Sequence, residues 1–226
     1  MKQPKSPFRA ARRAGLAGAL AACALAFAAP FVHAAGVEDA VAELQRDWEV
    51  VRYQTSPGER EKRFDALAAK AHKVSESYPG RAEPLVWEGI IVSSLAGEHG
   101  GLGALSLVKR AKALYEAAIQ IDGNVLDGSA YNSLGVLYYK VPGWPVGFGD
   151  KAKARELLQK ALALNPKGID PNFFYGEYLV ETRHPEQAVA YLERALQAPP
   201  RAGREVADVG RREEARQLLE KARAGR

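Results

Sequence analysis

Cysteine is nearly absent: Cys23 is the only one among 226 residues. One thiol cannot close an internal disulfide, and it cannot share a zinc ion with a partner cysteine. Histidine is scarce too. His72, His99 and His184 lie far apart with no metal-ligand spacing, so no metal or other cofactor is expected. No serine stands in a nucleophile-elbow pattern. The glycine-rich stretch Gly97 to Gly103 lacks the lysine and hydroxyl that a phosphate loop requires. Glu98-His99 is the one adjacent pair with acid–base character, and a lone pair is a thin basis for catalysis. The expectation is a protein that is not an enzyme.

A dominant charge sign is also missing once the start of the chain is set apart. The formal net charge is +5, with 32 basic and 27 acidic residues. Lys2, Lys5, Arg9, Arg12 and Arg13 account for the excess, leaving 27 of each sign. A nucleic-acid partner is therefore not expected. Those five residues precede an apolar run, Ala14 to Ala29, and small residues at Val32-His33-Ala34. Residues 1–34 read as a cleaved signal peptide, with 35–226 as the mature domain in the periplasm or outside the cell. The apolar run is short and broken by Pro30, so no membrane span is expected after cleavage. Leu20-Ala21-Ala22-Cys23 resembles a lipobox, and the alternative is a lipoprotein anchored through Cys23.

Nothing in the mature part alternates with period two; its alanines and leucines recur with helical spacing. Helices are expected at 37–54, 59–78, 84–96, 107–121, 129–140, 150–164, 171–181, 185–197 and 211–223, with a short helical turn near 204–208. Ser129, Asp150 and Asp170, the last before Pro171, read as helix caps.

Two segments repeat. Ala154, Leu158, Ala161 and Pro166 reappear, all at one constant offset, as Ala188, Leu192, Ala195 and Pro200. Tyr131, Leu134, Gly135 and Tyr138 precede the first set, and Tyr175, Gly176 and Leu179 precede the second. Small residues at Gly135, Ala154 and Ala161 let two antiparallel helices approach, and Leu134, Tyr138 and Leu158 fill the groove between them. This pattern, with its period of about 34 residues, resembles the tetratricopeptide repeat (TPR) family. The resemblance implies an all-α, right-handed solenoid of about four helical hairpins, with a last helix capping the open end.

Two hairpins depart from the period. In the regular fourth unit, the aromatic slot of the first helix is Asn172 and the first small residue of the second is Ala188. The corresponding span is longer from Tyr131 to Ala154, and longer still from Trp87 to Ala111. Both turns, 97–107 and 141–149, are therefore expected to be enlarged loops lying side by side. They carry Leu102, Leu105, Trp144 and Phe148, which either fold back into the groove or form a lip beside a ligand.

In TPR proteins the first helix of each pair lines a concave face that binds a peptide or protein. Carried onto this chain, that resemblance offers Glu88, Asn132, Tyr139, Lys140, Phe173, Glu177 and Glu181, with Trp144, Phe148 and His99 on the neighbouring turns. One lysine and three acids would suit an extended peptide or a helix with basic residues. The expected partner is a peptide or protein of the cell envelope, and a homo-oligomer is left open. Residues 84–166 also resemble, more loosely, the T component of TRAP transporters, through Gly103 to Ala111, Asp127 to Tyr138 and Gly147 to Ala152. That likeness implies an accessory subunit of a periplasmic solute transporter.

Overall fold

The computed structural model describes residues 36–225. Residues 1–34, expected to be a signal peptide, and with them Cys23, lie outside the described residues. Among the described residues there is helix and no strand. The helices are α1 (Val37–Glu49), α2 (Pro57–Ser77), α3 (Ala82–His99), α4 (Gly103–Asp122), α5 (Val125–Lys140), α6 (Lys151–Leu164), α7 (Ile169–Glu181), α8 (Pro185–Gln197) and α9 (Glu205–Ala224). A π-helical turn, Val50–Gln54, continues α1.

The hairpins form where small residues permit close approach. A Cβ placed on Gly89 would lie 2.5 Å from the Tyr115 ring. One on Gly135 would lie 2.8 Å from Leu158, and one on Gly176 would lie 2.8 Å from Leu192. The same contact thus closes α3 on α4, α5 on α6 and α7 on α8. Ala111, Ala118, Ala154, Ala161, Ala188 and Ala195 are buried beside these contacts. Burying so many apolar side chains along one seam is the main stabilising term, at roughly 25 cal/mol per Å². The first helices α1, α3, α5 and α7 touch in succession, and this inner layer is where the site lies.

One enlarged turn is real and the other is not. In the third hairpin, residues 141–149 form a loop, closed by hydrogen bonds from Gly149 N–H to the Pro142 carbonyl at 2.9 Å and from Asp150 N–H to the Tyr138 carbonyl at 2.8 Å. A Cβ on Gly149 would lie 1.9 Å from the Val141 oxygen, so only glycine fits. In the second hairpin the expected loop 97–107 is corrected. The helix α3 continues through His99 and α4 starts at Gly103, leaving only residues 100–102 outside. Gly100 and Gly101 adopt φ of 65° and 58°, which reverses the chain abruptly. The surplus residues then lengthen both helices, with Leu105, Leu107 and Val108 packed on the core.

The last helix also departs from expectation. It is continuous over Glu205–Ala224 rather than a short turn plus a cap. Its second half caps α8 through Ala215, Leu219 and Ala222. Its first half crosses to the other end of the stack, where Ala207 joins the core cluster of α1 and α3 and Gly210 meets Tyr53.

Candidate functional site: a chamber under the last helix

Because α9 touches α7, α8 and the π-helical turn, it roofs the concave face. A chamber of about 720 Å³ lies beneath it, lined by α1, α3, α5, α7 and α9. Its floor is aromatic and aliphatic: Trp48, Trp87, Ile90, Leu137, Phe173 and Phe174. Its charged side chains join helices that are distant in sequence.

The first half of the roof, with the residues just before it, is latched to both the first and the last hairpin. At the first hairpin, Glu49 forms an ion pair with Arg204 and accepts the Ala207 N–H at 3.3 Å. The Arg204 guanidinium lies 4.9 Å from the Trp87 ring centroid. Arg52 reaches Glu214 at 2.8 Å and Glu98 at 3.9 Å. At the last hairpin, Asp170 accepts from Arg201 at 2.6 Å and from Arg211 at 2.9 Å. Arg211 stacks over Phe173 and Phe174 at 4.6 and 4.5 Å. Arg201 is completed by Asp208 at 2.7 Å.

These pairs set the protonation of the site. Burial alone would raise the Asp170 carboxyl, but Arg211 and Arg201 outweigh it and hold the pKa at about 2. About 30% of the Asp170 side chain stays accessible, and it belongs to the chamber lining. Burial disfavours the Arg211 cation, yet Tyr53 and Asp170 hold its pKa above the ordinary arginine value. Arg204 moves the other way: burial, then the nearby Arg201, lower its pKa. The Tyr139 hydroxyl donates to Glu177 at 2.6 Å, and burial followed by that carboxylate raises the phenol well above its usual value.

The structure divides the residues expected on the concave face. Asn132, Lys140, Phe173 and Glu177 do line the chamber. Tyr139 is buried behind Glu177, and Glu181 pairs with Lys140 just outside. Glu88 is corrected. It is buried on the opposite side of α3, bonded to His72 of α2 at 3.1 Å and to Arg110 of α4 at 2.5 Å. Its neighbours Trp87 and Ile90 hold the inner face instead, since one residue turns a helix by about 100°. The Glu98-His99 pair is split: Glu98 faces the chamber, whereas His99 bonds Glu61 at 2.6 Å. Phe148 folds back edge-on to Tyr138 at 5.5 Å, beneath Lys112. Trp144 is 89% exposed and, like Phe148, lies outside the chamber lining.

Asp150 caps α6, accepting from the Ala152 and Lys153 amides. Asp170 is no cap. It lies inside the first turn of α7 and gives its carboxylate to the arginines. Sequence reasoning also misses Arg201, Arg204 and Arg211, whose only local signal is arginine density after Pro200. Among the described residues no group of three or more histidines, cysteines or carboxylates could hold a metal ion, and no helix is long and apolar enough to cross a membrane.

Residues 146–209 match the sequence pattern of the tetratricopeptide repeat family. No curated protein matches the chain in sequence. Among solved structures, a thermophilic TPR protein of Thermus thermophilus is 14% identical, covering 81% of this chain and 99% of its own, with a TM-score of 0.43. MamA is 21% identical over 74% of this chain and 92% of its own, with a TM-score of 0.42. Likeness at this level carries no argument about this chain.

Proposed function

We propose that this tetratricopeptide-repeat protein is a protein–protein interaction module that receives a short segment of its partner in the concave chamber. The scaffold supports a binding role, and the family reading favours a protein partner. The observation that carries the finer reading is the roofed cavity of about 720 Å³, with aromatic floor and charged rim. An open groove would take an extended peptide along its whole length. A roofed one takes a few residues, or a terminus, threaded beside α9. Residues 1–34, with their basic start and apolar run, support placing this activity in the periplasm or outside the cell, or at a membrane through a lipidated Cys23.

The test is capture from envelope extract with the wild type, Gln45→Trp and Trp144→Ala. Gln45 lines the chamber, and an indole there would occupy part of it. The reading predicts that Gln45→Trp loses partners while remaining helical, and that Trp144→Ala keeps them. Equal recovery by all three would remove the chamber from the account.

A second reading is an accessory subunit of a solute transporter. The observation in its favour is size, since pockets for small molecules span about 300–1,000 Å³. Thermal shifts induced by small organic acids, reversed by Gln45→Trp, would support it over the first.

A further inference from the structure

Apolar side chains are held out in water on two neighbouring turns. Among the described residues, Trp144 and Leu102 are the most exposed large hydrophobic side chains, at 89% and 86%, and Val146 beside the first is 54% exposed. Trp144 and Val146 belong to the loop between α5 and α6, and Leu102 to the reversal between α3 and α4. Successive hairpins of a solenoid stack in the same sense, so both turns emerge on one edge. None of the three side chains belongs to the chamber lining.

The backbone keeps them there. The Val146 and Gly147 N–H groups donate to the Gly143 carbonyl at 3.2 and 3.1 Å, and Phe148 anchors the base of the loop on Tyr138. Leu102 directly follows the positive-φ pair Gly100 and Gly101. Each turn is thus a short bonded tip, not a groove. The Trp144 indole N–H has no partner among the described residues. A ring that is apolar on its faces and carries one free N–H suits the boundary between acyl chains and headgroups.

The free charge behind the tips has one sign. Leu102, Leu105, Lys109 and Lys112 share a face of α4. Lys112 lies 5.8 Å from the Phe148 ring centroid, so that face runs beside the loop. Lys151 and Arg155 follow the loop on α6, one turn apart. Lys109, Lys151 and Arg155 are exposed and form no ion pair among the described residues. The acids nearest the two turns are occupied: Glu98 faces Arg52 in the chamber, and Asp150 caps α6.

We propose that this edge docks on a lipid bilayer with anionic headgroups. Trp144, Val146 and Leu102 enter the interfacial layer, while Lys109, Lys151 and Arg155 meet lipid phosphates. Apolar burial and attraction to anionic lipid are the two contributions that hold a protein at a membrane surface. A pocket on a protein would have to match two separate tips and three cations; a fluid bilayer imposes no such shape. The contact is peripheral, since no described helix is long and apolar enough to cross. It is independent of the chamber and leaves the concave face free for a partner.

Trp48 and Trp87 are buried, so Trp144 reports its own contact. The experiment titrates the full chain with vesicles of phosphatidylglycerol and brominated phosphatidylcholine in equal parts, and reads tryptophan emission. Attachment through residues 1–34 alone leaves Trp144 in water and gives no signal. The wild type is expected to shift to the blue and be quenched by bromine, with both changes lost in Trp144→Phe. Lys151→Gln should raise the lipid needed for half the effect about fivefold, the share of one cation near an anionic surface. Leu102→Gln should raise it roughly tenfold to a hundredfold, the share of one large apolar side chain. Brominated phosphatidylcholine alone should bind more weakly by roughly a hundredfold, the combined share of three cations. No quenching, quenching that survives Trp144→Phe, or equal affinity for the zwitterionic vesicles would overturn the assignment. A blue shift that grows with protein concentration in the absence of lipid would also overturn it, and would make a second copy the occupant. Loss of captured proteins in Trp144→Ala, without bromine quenching in the wild type, would give the edge to a protein partner instead.

Discussion

The seam between paired helices and the chamber beneath α9 are built on opposite principles. The seam is dry and made of small residues against large ones: Gly135 on Leu158, Gly176 on Leu192. The chamber is lined by arginines and carboxylates that tie the first hairpin to the last helix, as Arg52 and Glu214 do. Apolar packing falls off with every lost methyl group and has no preferred protonation state. Ion pairs inside a protein add less net stability, because desolvation offsets much of their attraction, but they choose one arrangement among several. The seam accordingly explains why the stack exists, and the latch explains why its concave face is closed.

The largest expected effect lies in the seam. Leu158→Ala or Leu192→Ala should destabilise by about 2–5 kcal/mol in urea unfolding, since both leucines are fully buried. A loss below ~1 kcal/mol would mean that the helices close up around the void, and the contrast with the chamber would weaken.

Next comes Asp170→Asn. The native carboxyl titrates at about 2 against an ordinary 3.8, so the pairing contributes roughly 2 kcal/mol when ionised. The sign follows from a depressed pKa: this stability is present above pH about 4 and disappears as pH falls through about 2. Stability measured against pH should therefore drop more steeply for the wild type than for Asp170→Asn over that window, with the curves converging at its acid end. Parallel curves would show that Arg201 and Arg211 find other partners.

Gly210→Ala is expected to act more locally. A Cβ there would lie 2.3 Å from the Tyr53 ring, so α9 and the π-helical turn must part. A cost of about 1–3 kcal/mol is expected for this overpacking. Hydrogen exchange should rise in residues 205–211 and stay unchanged in α6 and α8. Uniform exchange would make roof and seam one cooperative unit.

The smallest effect is assigned to Trp144→Ala. The indole is 89% exposed, and surface substitutions of this kind stay within about 0.5 kcal/mol. A larger loss of stability would place the loop in the packing rather than outside it.

The same contrast explains what can be read from the residues alone. The seam recurs with a fixed period, so its small and large positions identify one another, and Ala154, Leu158, Ala188 and Leu192 all sit where the period puts them. The latch has no period. Asp170 meets arginines 31 and 41 positions later, and an Asp-Pro dipeptide at a helix start looks locally like a cap. Glycines at 97–103 read as loop punctuation, but only Gly100 and Gly101 use positive φ, and the others ride inside helices. Glu88 is one residue out of phase with the inner face of α3. In the candidate site, Asn132, Lys140, Phe173 and Glu177 are legible because α5 and α7 obey the repeat. Contributions from α9 are not, since a charged helix after the last repeat reads equally well as a solvated cap.

A double-mutant cycle on Glu49 and Arg204 tests the closed arrangement most directly. If α9 spans the stack, Glu49→Ala and Arg204→Ala should each destabilise the protein, and the double variant should lose clearly less than their combined effect. Additivity within about 0.5 kcal/mol would mean that the two residues do not meet, and the chamber would be an open groove.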